Sequence, residues 1–192
     1  FTLVDTDLQI ARQLKALRAQ RGWTIDRLAA ASGVSRAMIS RIERAESSAT
    51  AALLGKLSAA LGVPLSDLLA APVQAGTVAR KTERMRWQDP ATGFMRELVT
   101  PRLTGSMVEV IEVELPAAAR VGYQLGPAPA YAQHVIALTG GLRVTQAPPA
   151  QPQTLDLGPG DALFMTAAGE FAFENRSPQP CRYLVVIERP RT

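Results

Sequence analysis

The sequence predicts an α+β protein of two domains, with a bundle of five short helices in residues 1–70 and an antiparallel β-domain in residues 85–192. Two observations lead to this prediction. Up to about residue 70, apolar residues recur every three to four positions, which is the period of a helix. From about residue 86 onward, short β-type runs are separated by turns that contain Gly and Pro, as in sandwiches and barrels. Residues 71–84 lack a strong period and are predicted to form a linker.

The five helices are predicted from apolar spacing and from the residues that begin and end helices. Ser and Thr begin helices because their hydroxyls accept backbone N–H bonds, and Gly ends them because it adopts left-handed backbone. The first helix is predicted to run through Leu8 and Leu17 and to end at Gly22, and the second to run from Thr24 to Gly33. The third begins after Ser35, the fourth runs from about Thr50 to Leu61, and a short fifth begins after Pro64.

Eight short runs in the second half have the composition of strands. They cover residues 95–100, 107–116, 134–138, 142–145, 154–157, 162–165, 171–175 and 181–188. The segments between them contain Gly and Pro clusters at residues 139–141, 158–161 and 177–180. Many short strands at this spacing favour a small antiparallel barrel.

Composition excludes several classes of protein. No run approaches 18 uncharged apolar residues, so we expect no membrane span. The first residues lack the basic start and apolar run of a signal peptide, and the single cysteine, Cys181, fits a reducing compartment, so we expect a cytoplasmic protein. The single cysteine excludes multi-cysteine metal sites, and the single histidine, His134, excludes His-rich ones. We therefore expect no cofactor.

The positive charge is concentrated in the smaller, helical part. Residues 1–72 contain nine Lys and Arg against six Asp and Glu, a net charge of +3, and the other 120 residues carry twelve against eleven, a net charge of +1. This distribution is a modest indication of a polyanionic partner such as DNA.

Residues 24–47 read TIDRLAAASGVSRAMISRIERAES, which predicts a helix, a turn containing Gly33 and a second helix. Such a pair presents its second helix to the major groove of DNA, where Arg pairs bidentately with guanine. Arg36, Ala37, Ser40 and Arg41 are the candidates for contacts with base edges. The complete predicted DNA-binding set, including residues that position phosphates, is Thr24, Arg27, Ser35, Arg36, Ala37, Ser40, Arg41 and Arg44.

Residues 7–70 closely resemble the lambda-repressor-like helix-turn-helix of the Xre/Cro/CI-type transcriptional regulators. The matching segments are Arg21-Gly22-Trp23-Thr24, Leu28-Ala29, Gly33-Val34-Ser35 and Ile39-Ser40-Arg41-Ile42-Glu43-Arg44, followed by LGVPLSDLL. Ala45 replaces a usual glycine, and Ile25-Asp26 replaces a frequent Gln-Glu, which leaves the Asp26 carboxylate as a slight handicap near DNA. The resemblance implies a dimeric regulator that binds a double-stranded operator.

The β-domain resembles a cupin, a small β-barrel with two signature segments. The Gly158-Pro159-Gly160-Asp161 turn and residues 171–175 match the second signature, and residues 138–144 match the first-signature hairpin. Metal-binding cupins hold a cation with two histidines, a glutamate and a further histidine. The resemblance puts Gln133 at the glutamate position, Phe171 at the last histidine position, and the histidine pair within residues 127–130, which contain no histidine. It therefore implies a metal-free domain without enzymatic activity.

A barrel interior without a metal still provides a cavity for a small-molecule effector. The predicted pocket residues are Tyr123, Gln124, Tyr131, Gln133, His134, Met165 and Phe171. The alternative is that these side chains only fill the core. We expect Cys181 to be a buried core thiol rather than a redox sensor, and Trp87 and Phe94 to pack against the entry strands.

The leading hypothesis is a DNA-binding transcriptional regulator, active as a homodimer, whose β-domain senses a small molecule or holds the dimer together. A repressor role is included in this hypothesis. One alternative is an isomerase- or dioxygenase-type cupin enzyme joined to a helix-turn-helix. Another is an antitoxin-like module whose helices bind a protein.

Overall fold

The structure is a computed structural model, and it describes residues 3–70, 76, 78–102, 106–124, 131–147, 152–166 and 168–189. Five helices come first, and an antiparallel β-domain follows. The helices are α1 Leu3–Gln20, α2 Ile25–Ser32, α3 Arg36–Glu43, α4 Ala51–Ala60 and α5 Ser66–Leu69. A 3₁₀ turn at Lys81–Glu83 lies within the segment that was predicted to be a linker.

The five predicted helices are confirmed, and their ends follow the capping residues. Thr24, Ser35 and Thr50 each accept a backbone N–H bond as N-caps. The first helix begins at Leu3, five residues before the predicted apolar pattern starts at Leu8. Thr6 is buried, so the buried face of α1 includes a polar residue that the apolar period does not reveal.

Ten strands make up the described part of the β-domain. They are β1 Arg86–Gln88, β2 Met95–Leu98, β3 Val108–Leu115, β4 Arg120–Gln124, β5 Ala132–Thr139, β6 Leu142–Ala147, β7 Gln153–Leu157, β8 Ala162–Thr166, β9 Glu170–Glu174 and β10 Cys181–Glu188. The short strand β1 and the strand β4 were missing from the eight predicted runs. β4 has Gly122 at its centre, which weakens a strand pattern in the sequence.

The strands form two antiparallel sheets. One sheet has six strands in the order β1-β2-β3-β10-β5-β8, and the other has four in the order β4-β9-β6-β7. Their inner faces share one apolar core, in which the rings of Phe173 and Tyr183 lie 5.4 Å apart across the two sheets. The predicted antiparallel β-domain is therefore confirmed, but its described strands form two sheets that pack face to face and not one closed ring.

The prediction of a hairpin over residues 138–144 is wrong. β5 pairs with β10 and β8, whereas β6 pairs with β7 and β9, so the turn between β5 and β6 carries the chain from one sheet to the other. Gly140 makes this crossing possible because its φ is +74° and a Cβ there would lie 2.8 Å from the Cβ of Cys181.

The helical domain packs directly against the β-domain. A Cβ built on Gly55 of α4 would lie 3.2 Å from Cδ1 of Tyr123 in β4, so the helix backbone rests on this ring. The buried carboxylate of Asp89 accepts a hydrogen bond of 2.9 Å from the backbone N–H of Ala51, at the start of α4. Apolar side chains of both domains belong to one continuous core.

A buried cluster of charges also connects the two domains. Asp67 of α5 lies 2.5 Å from Arg189 and 3.0 Å from Arg102, and Arg189 lies 2.5 Å from Glu109 of β3. The hydroxyl of Ser66 donates a hydrogen bond to Glu109. Burial raises the pKa of Asp67 from its usual value, although both arginines oppose the rise. The cluster therefore places two arginines beside two carboxylates in the interior, where an unpaired charge would be costly.

Among the described residues, no helix combines the length and the apolar character that a membrane span needs.

Candidate nucleic-acid interface and β-domain cavity

The connection between α2 and α3 is held by two caps and one left-handed glycine. Thr24 Oγ1 accepts a hydrogen bond from the Arg27 N–H at 3.1 Å, and Ser35 Oγ accepts one from the Met38 N–H at 3.2 Å. Gly33 has a φ of +67° and donates its N–H to the Ala29 carbonyl, which ends α2. The turn therefore sets the direction of α3 relative to α2.

Apolar contacts fix the two helices in the bundle. Leu28, Val34, Ile39 and Ile42 are buried and belong to the shared core. Behind α3, the guanidinium of Arg18 makes a bidentate pair with Glu43, at 2.6 and 2.8 Å. Arg18 also donates a hydrogen bond to the backbone carbonyl of Trp23. Because these residues hold the inner face of α3, its other face is left to solvent.

The solvent face of α3 carries the residues that were predicted to contact bases. Arg36, Ala37 and Arg41 are exposed, and Ser40 is half-buried. Arg36 Nε lies 3.3 Å from Oδ1 of Asp26 in α2. Arg41 pairs with no carboxylate among the described residues, so its cation faces solvent. The structure thus brings four of the predicted residues together on one exposed helical surface.

Arg44 lies just after α3 and is held by its neighbours. It pairs with Glu46 at 2.8 Å, and it donates a hydrogen bond to Ser40 Oγ at 2.9 Å. The hydrogen bond from Arg44 holds the pKa of Glu46 below its usual value. Ser40 is therefore engaged by Arg44 in the protein without DNA.

Two arginines lie over the ring of Trp23, just before α2. Sequence reasoning identified only one of them as a candidate for DNA contact. The guanidinium carbons of Arg21 and Arg27 lie 5.8 and 5.2 Å from the centre of its ring. Arg27 was a predicted phosphate contact, but Arg21 was not. The signals for Arg21 were its place in the family-matching segment Arg21-Gly22-Trp23-Thr24 and its position two residues before Trp23, since cations within about 6 Å of an indole face are attracted to it.

A narrow cavity of about 20 Å³ lies between the two sheets and is lined in part by helix α4. Four of the predicted pocket residues line it, namely Tyr123, Tyr131, Gln133 and Phe171. The rings of Tyr123 and Phe171 are stacked with their centres 5.1 Å apart. Met165 is buried but is not part of the lining.

Two predicted pocket residues lie away from this cavity. His134 is exposed on the outer face of the six-stranded sheet, where its ring centre lies 5.0 Å from that of Phe164. Gln124 is exposed and donates a hydrogen bond of 3.0 Å to Glu170. Strand alternation explains His134, because its neighbour Gln133 points inward.

Arg96 is the charged residue among the cavity residues that sequence reasoning missed. It is only 8% exposed, and it lines the cavity together with Tyr123, Tyr131 and Tyr183. Burial raises the pKa of Tyr123 to about 12, although the neighbouring Arg96 opposes the rise. Burial likewise raises the pKa of Tyr131 and Tyr183, again against the effect of Arg96. All three hydroxyls are therefore neutral at pH 7.

Gln133 and Phe171, which the resemblance puts at ligand positions of metal-binding cupins, both lie on the inner side of the domain. The resemblance puts the histidine pair of metal-binding cupins within residues 127–130, and this segment lies outside the described residues. In the part of the chain that the structure describes, no three His, Cys, Asp or Glu side chains come together as a metal site would require.

The outer face of the six-stranded sheet carries a stripe that is apolar except for His134. Val186 of β10 lies opposite Val110 of β3 on one side and His134 of β5 on the other, and His134 lies opposite Phe164 of β8. Phe164 is 59% exposed. The stripe therefore crosses four neighbouring strands on the side away from the core.

Comparisons with known proteins agree with this architecture. Residues 14–68 match the HTH_3 helix-turn-helix family model. Over 66 residues the chain is 50% identical to the HTH-type transcriptional regulator SutR of Escherichia coli K12, a match that covers 34% of this chain and 37% of that protein.

One solved structure extends the comparison beyond the helices. The crystal structure of an HTH_3 family transcriptional regulator from Vibrio cholerae aligns over 99% of this chain and 100% of its own, with a TM-score of 0.78 and 25% identity. The Cupin_2 domain of an XRE family transcriptional regulator from Enterobacter cloacae aligns over 51% of this chain and 98% of its own, with a TM-score of 0.45 and 16% identity. Residues 14–68 of this chain are therefore similar to the HTH_3 helix-turn-helix family, and the chain as a whole is similar in fold to a solved HTH_3 family transcriptional regulator.

Proposed function

We propose that the protein is a sequence-specific DNA-binding transcriptional regulator that reads its operator with α3. The observation that carries this proposal is the exposed surface of α3, on which Arg36, Ala37, Ser40 and Arg41 lie together while Ile39 and Ile42 anchor the opposite side. A helix held in this way enters the major groove with its N-terminal residues next to base edges.

The residues around this surface suit contacts with phosphates. Arg27 lies against Trp23 at the start of α2, and Arg44 lies one residue beyond α3. Thr24 and Ser35 use their hydroxyls as caps, so their contribution would come from the N-termini of the helices that they begin. Phosphate contacts set the register on the duplex, and the base contacts of α3 supply the specificity.

The regulator acts as a homodimer in this proposal, and the apolar stripe on the six-stranded sheet is its interface. A single module of this size contacts little DNA surface, whereas a two-fold dimer binds two half-sites one helical turn apart. A second copy suits the stripe because a face that pairs with itself about a two-fold axis buries the same residues on both sides. Val110, Val186 and Phe164 would then be covered by their counterparts.

The β-domain serves regulation and not catalysis. Gln133 and Phe171 lie where metal-binding cupins carry ligands, and the cavity beside them is lined by aromatic and apolar groups. Metal analysis of the purified protein tests this point, because stoichiometric iron, manganese, nickel or zinc would favour the alternative of a cupin enzyme. Since its target is genomic DNA, we place the protein in the cytoplasm.

In-vitro selection of duplex DNA by the purified protein tests the proposed function. We expect enrichment of a palindromic sequence whose half-sites are about 10 base pairs apart from centre to centre. Failure to enrich any sequence would contradict the proposal and would favour a protein partner for the helices. A repressor or activator role then follows from the position of the selected site relative to a promoter.

A further inference from the structure

We propose that the groove between helix α1 and the strands β1 and β2 is a binding site for an amphipathic monocarboxylate. The walls of this groove come from α1, from the end of α5, from the segment 78–86 and from residues 98–102. The helical domain and the β-domain therefore both contribute to it. The inference rests on the proposed function in one respect only, namely that the ligand would be the effector of the regulator.

The first argument is the room in the groove. Its volume is about 490 Å³, which lies within the range of about 300–1,000 Å³ that is usual for small-molecule sites. The cavity between the two sheets, at about 20 Å³, has room for one water molecule only. Since a water molecule occupies about 30 Å³ of liquid, the groove has room for an organic molecule of roughly ten non-hydrogen atoms.

The second argument is the apolar character of the walls. Met85 and Leu98 are joined by a backbone hydrogen bond of 3.0 Å, and both line the groove together with Leu69 at the end of α5. Two further lining residues, Leu8 and Val78, remain 41% and 68% exposed. Large apolar side chains that stay exposed around a concave surface are typical of binding sites. The ligand should therefore have an apolar body.

The third argument is an excess of positive charge. Arg84 and Arg86 share one carboxylate, that of Glu97, at 3.1 and 2.5 Å. Arg12 of α1 is exposed at the groove and pairs with no carboxylate among the described residues. The acidic residue of the lining is Glu83, so three cations face two carboxylates and leave a net charge of +1. A monoanion balances this charge, and a guanidinium matches the two oxygens of a carboxylate.

The fourth arginine of the lining, Arg102, is already engaged. Its guanidinium lies 3.0 Å from Asp67 and 3.7 Å from Glu109, within the buried cluster that connects the domains. It therefore adds no unbalanced charge to the groove. The carboxylate of the ligand falls instead to Arg12 and Arg86, whose side chains are the more exposed ones.

A ligand in the groove acts on α3 through α1. Arg12 lines the groove, and Arg18 of the same helix makes the bidentate pair with Glu43 of α3. A ligand that bridges α1 and β1 therefore favours one position of α1, and with it of α3, relative to the β-domain. This connection gives the ligand a short route to the helix that reads DNA.

Equilibrium dialysis of the full-length protein with radiolabelled octanoate tests the site. Octanoate combines one carboxylate with an apolar chain, whereas unlabelled 1-octanol lacks the charge and unlabelled acetate lacks the chain. We expect saturable, stoichiometric binding of octanoate, and displacement by octanol or acetate only at concentrations at least about tenfold higher than unlabelled octanoate requires. Absence of saturable binding, or equal displacement by octanol or by acetate, would overturn the proposal.

A charge placed in the groove locates the bound octanoate. Val78→Asp adds a carboxylate to the wall at an exposed position, so it spares the core and should abolish octanoate binding. Thr154→Asp adds the same charge on the four-stranded sheet and should bind octanoate like the wild type. Unchanged affinity in Val78→Asp would place the ligand elsewhere and contradict the assignment.

A second pair of variants tests the cation. Arg12→Gln should bind octanoate about fivefold more weakly, because it removes one exposed ion pair with the ligand. Lys15→Gln removes an equal charge from α1 outside the lining and should bind octanoate like the wild type. Equal affinities in the two variants would show that Arg12 does not hold the carboxylate.

DNA binding, measured on the same samples, separates this inference from the proposed function. Octanoate should change the affinity of the wild type for the selected duplex and leave that of Val78→Asp as it is. Sequence-specific DNA binding without octanoate binding would remove only the carboxylate site. Saturable octanoate binding by a protein that selects no DNA would remove the regulator and leave the carboxylate site in place.

Discussion

Arg36 Nε at the start of α3 lies 3.3 Å from Oδ1 of Asp26 in α2, and both side chains are largely exposed, at 72% and 66%. An exposed pair of this kind contributes only about 0–1 kcal/mol, so it does not hold Arg36 firmly. The residue that we assign to base recognition therefore begins from a weak contact that DNA can replace. The carboxylate that makes this contact lies on the same surface and opposes the approach of phosphates.

Asp26→Asn should strengthen DNA binding. The substitution removes a negative charge beside Arg36 and keeps the shape of the side chain. We expect a few-fold lower dissociation constant at low salt, with a smaller gain at high salt because the effect is electrostatic. Fluorescence anisotropy on the selected duplex measures it. Weaker binding by this variant would show that Asp26 positions Arg36 and that this contact matters for recognition.

Arg36→Ala should lower both affinity and specificity. If Arg36 pairs with a guanine, its loss costs about 1–3 kcal/mol and relaxes the preference at one base pair. Competition with duplexes altered at single positions measures this change. Arg143→Ala removes one positive charge from the β-domain and should leave the preference as it is. A sequence preference that survives intact in Arg36→Ala would exclude Arg36 as a base reader.

Phe164→Asp should dissociate the homodimer. Phe164 is 59% exposed, so a charge there does not disturb the core, but it would lie within the proposed interface. Sedimentation velocity of this variant should show a monomer, and weaker DNA binding should accompany it. Thr154→Asp introduces the same charge on an exposed strand position of the other sheet and should remain dimeric. A dimeric Phe164→Asp, or a monomeric wild type, would contradict this interface.

Arg189→Met should destabilise the folded protein, because Asp67 and Glu109 would lose a shared partner in the interior. Leaving a buried charge without its partner costs about 3–5 kcal/mol, and the remaining Arg102 favours the low end of this range. Urea unfolding followed by circular dichroism measures the loss. As a control, Arg182→Met breaks the more exposed pair with Glu112 and should cost about 1 kcal/mol or less. Similar losses in both variants would show that the cluster does not join the domains.

Gly140→Ala should be far more destabilising than Gly141→Ala. Gly140 has left-handed backbone, which costs an alanine about 1–2 kcal/mol, and its added methyl would lie 2.8 Å from the Cβ of Cys181. A Cβ on Gly141 would have nothing within 4 Å. Thermal unfolding of the two variants compares them directly. Equal midpoints would mean that the crossing between the sheets does not depend on Gly140.

The helices were predictable from the sequence because caps, glycines and apolar spacing all agree at the same positions. Thr24, Gly33 and Ser35 define α2 and α3 by local hydrogen bonds, so no long-range information was needed. The start of α1 was missed because Thr6, a polar residue, occupies a buried position there.

The β-domain and its cavity were less predictable, because strand order depends on contacts far apart in the sequence. Residues 138–144 read as a hairpin, and only the pairing of β5 with β10 and of β6 with β9 shows that they cross between sheets. Arg96 and Glu97 are charged residues within the predicted run 95–100, yet both are buried, on opposite faces of β2. A single sequence gives no sign that a charged residue turns inward.

The central claim, that α3 reads DNA, is tested most directly by a salt titration of binding to the selected duplex and to a scrambled duplex of equal length. The account predicts tighter binding to the selected duplex at every salt concentration, with log affinity falling steeply as log salt rises. Equal affinity for the two duplexes, or binding that hardly responds to salt, would contradict it.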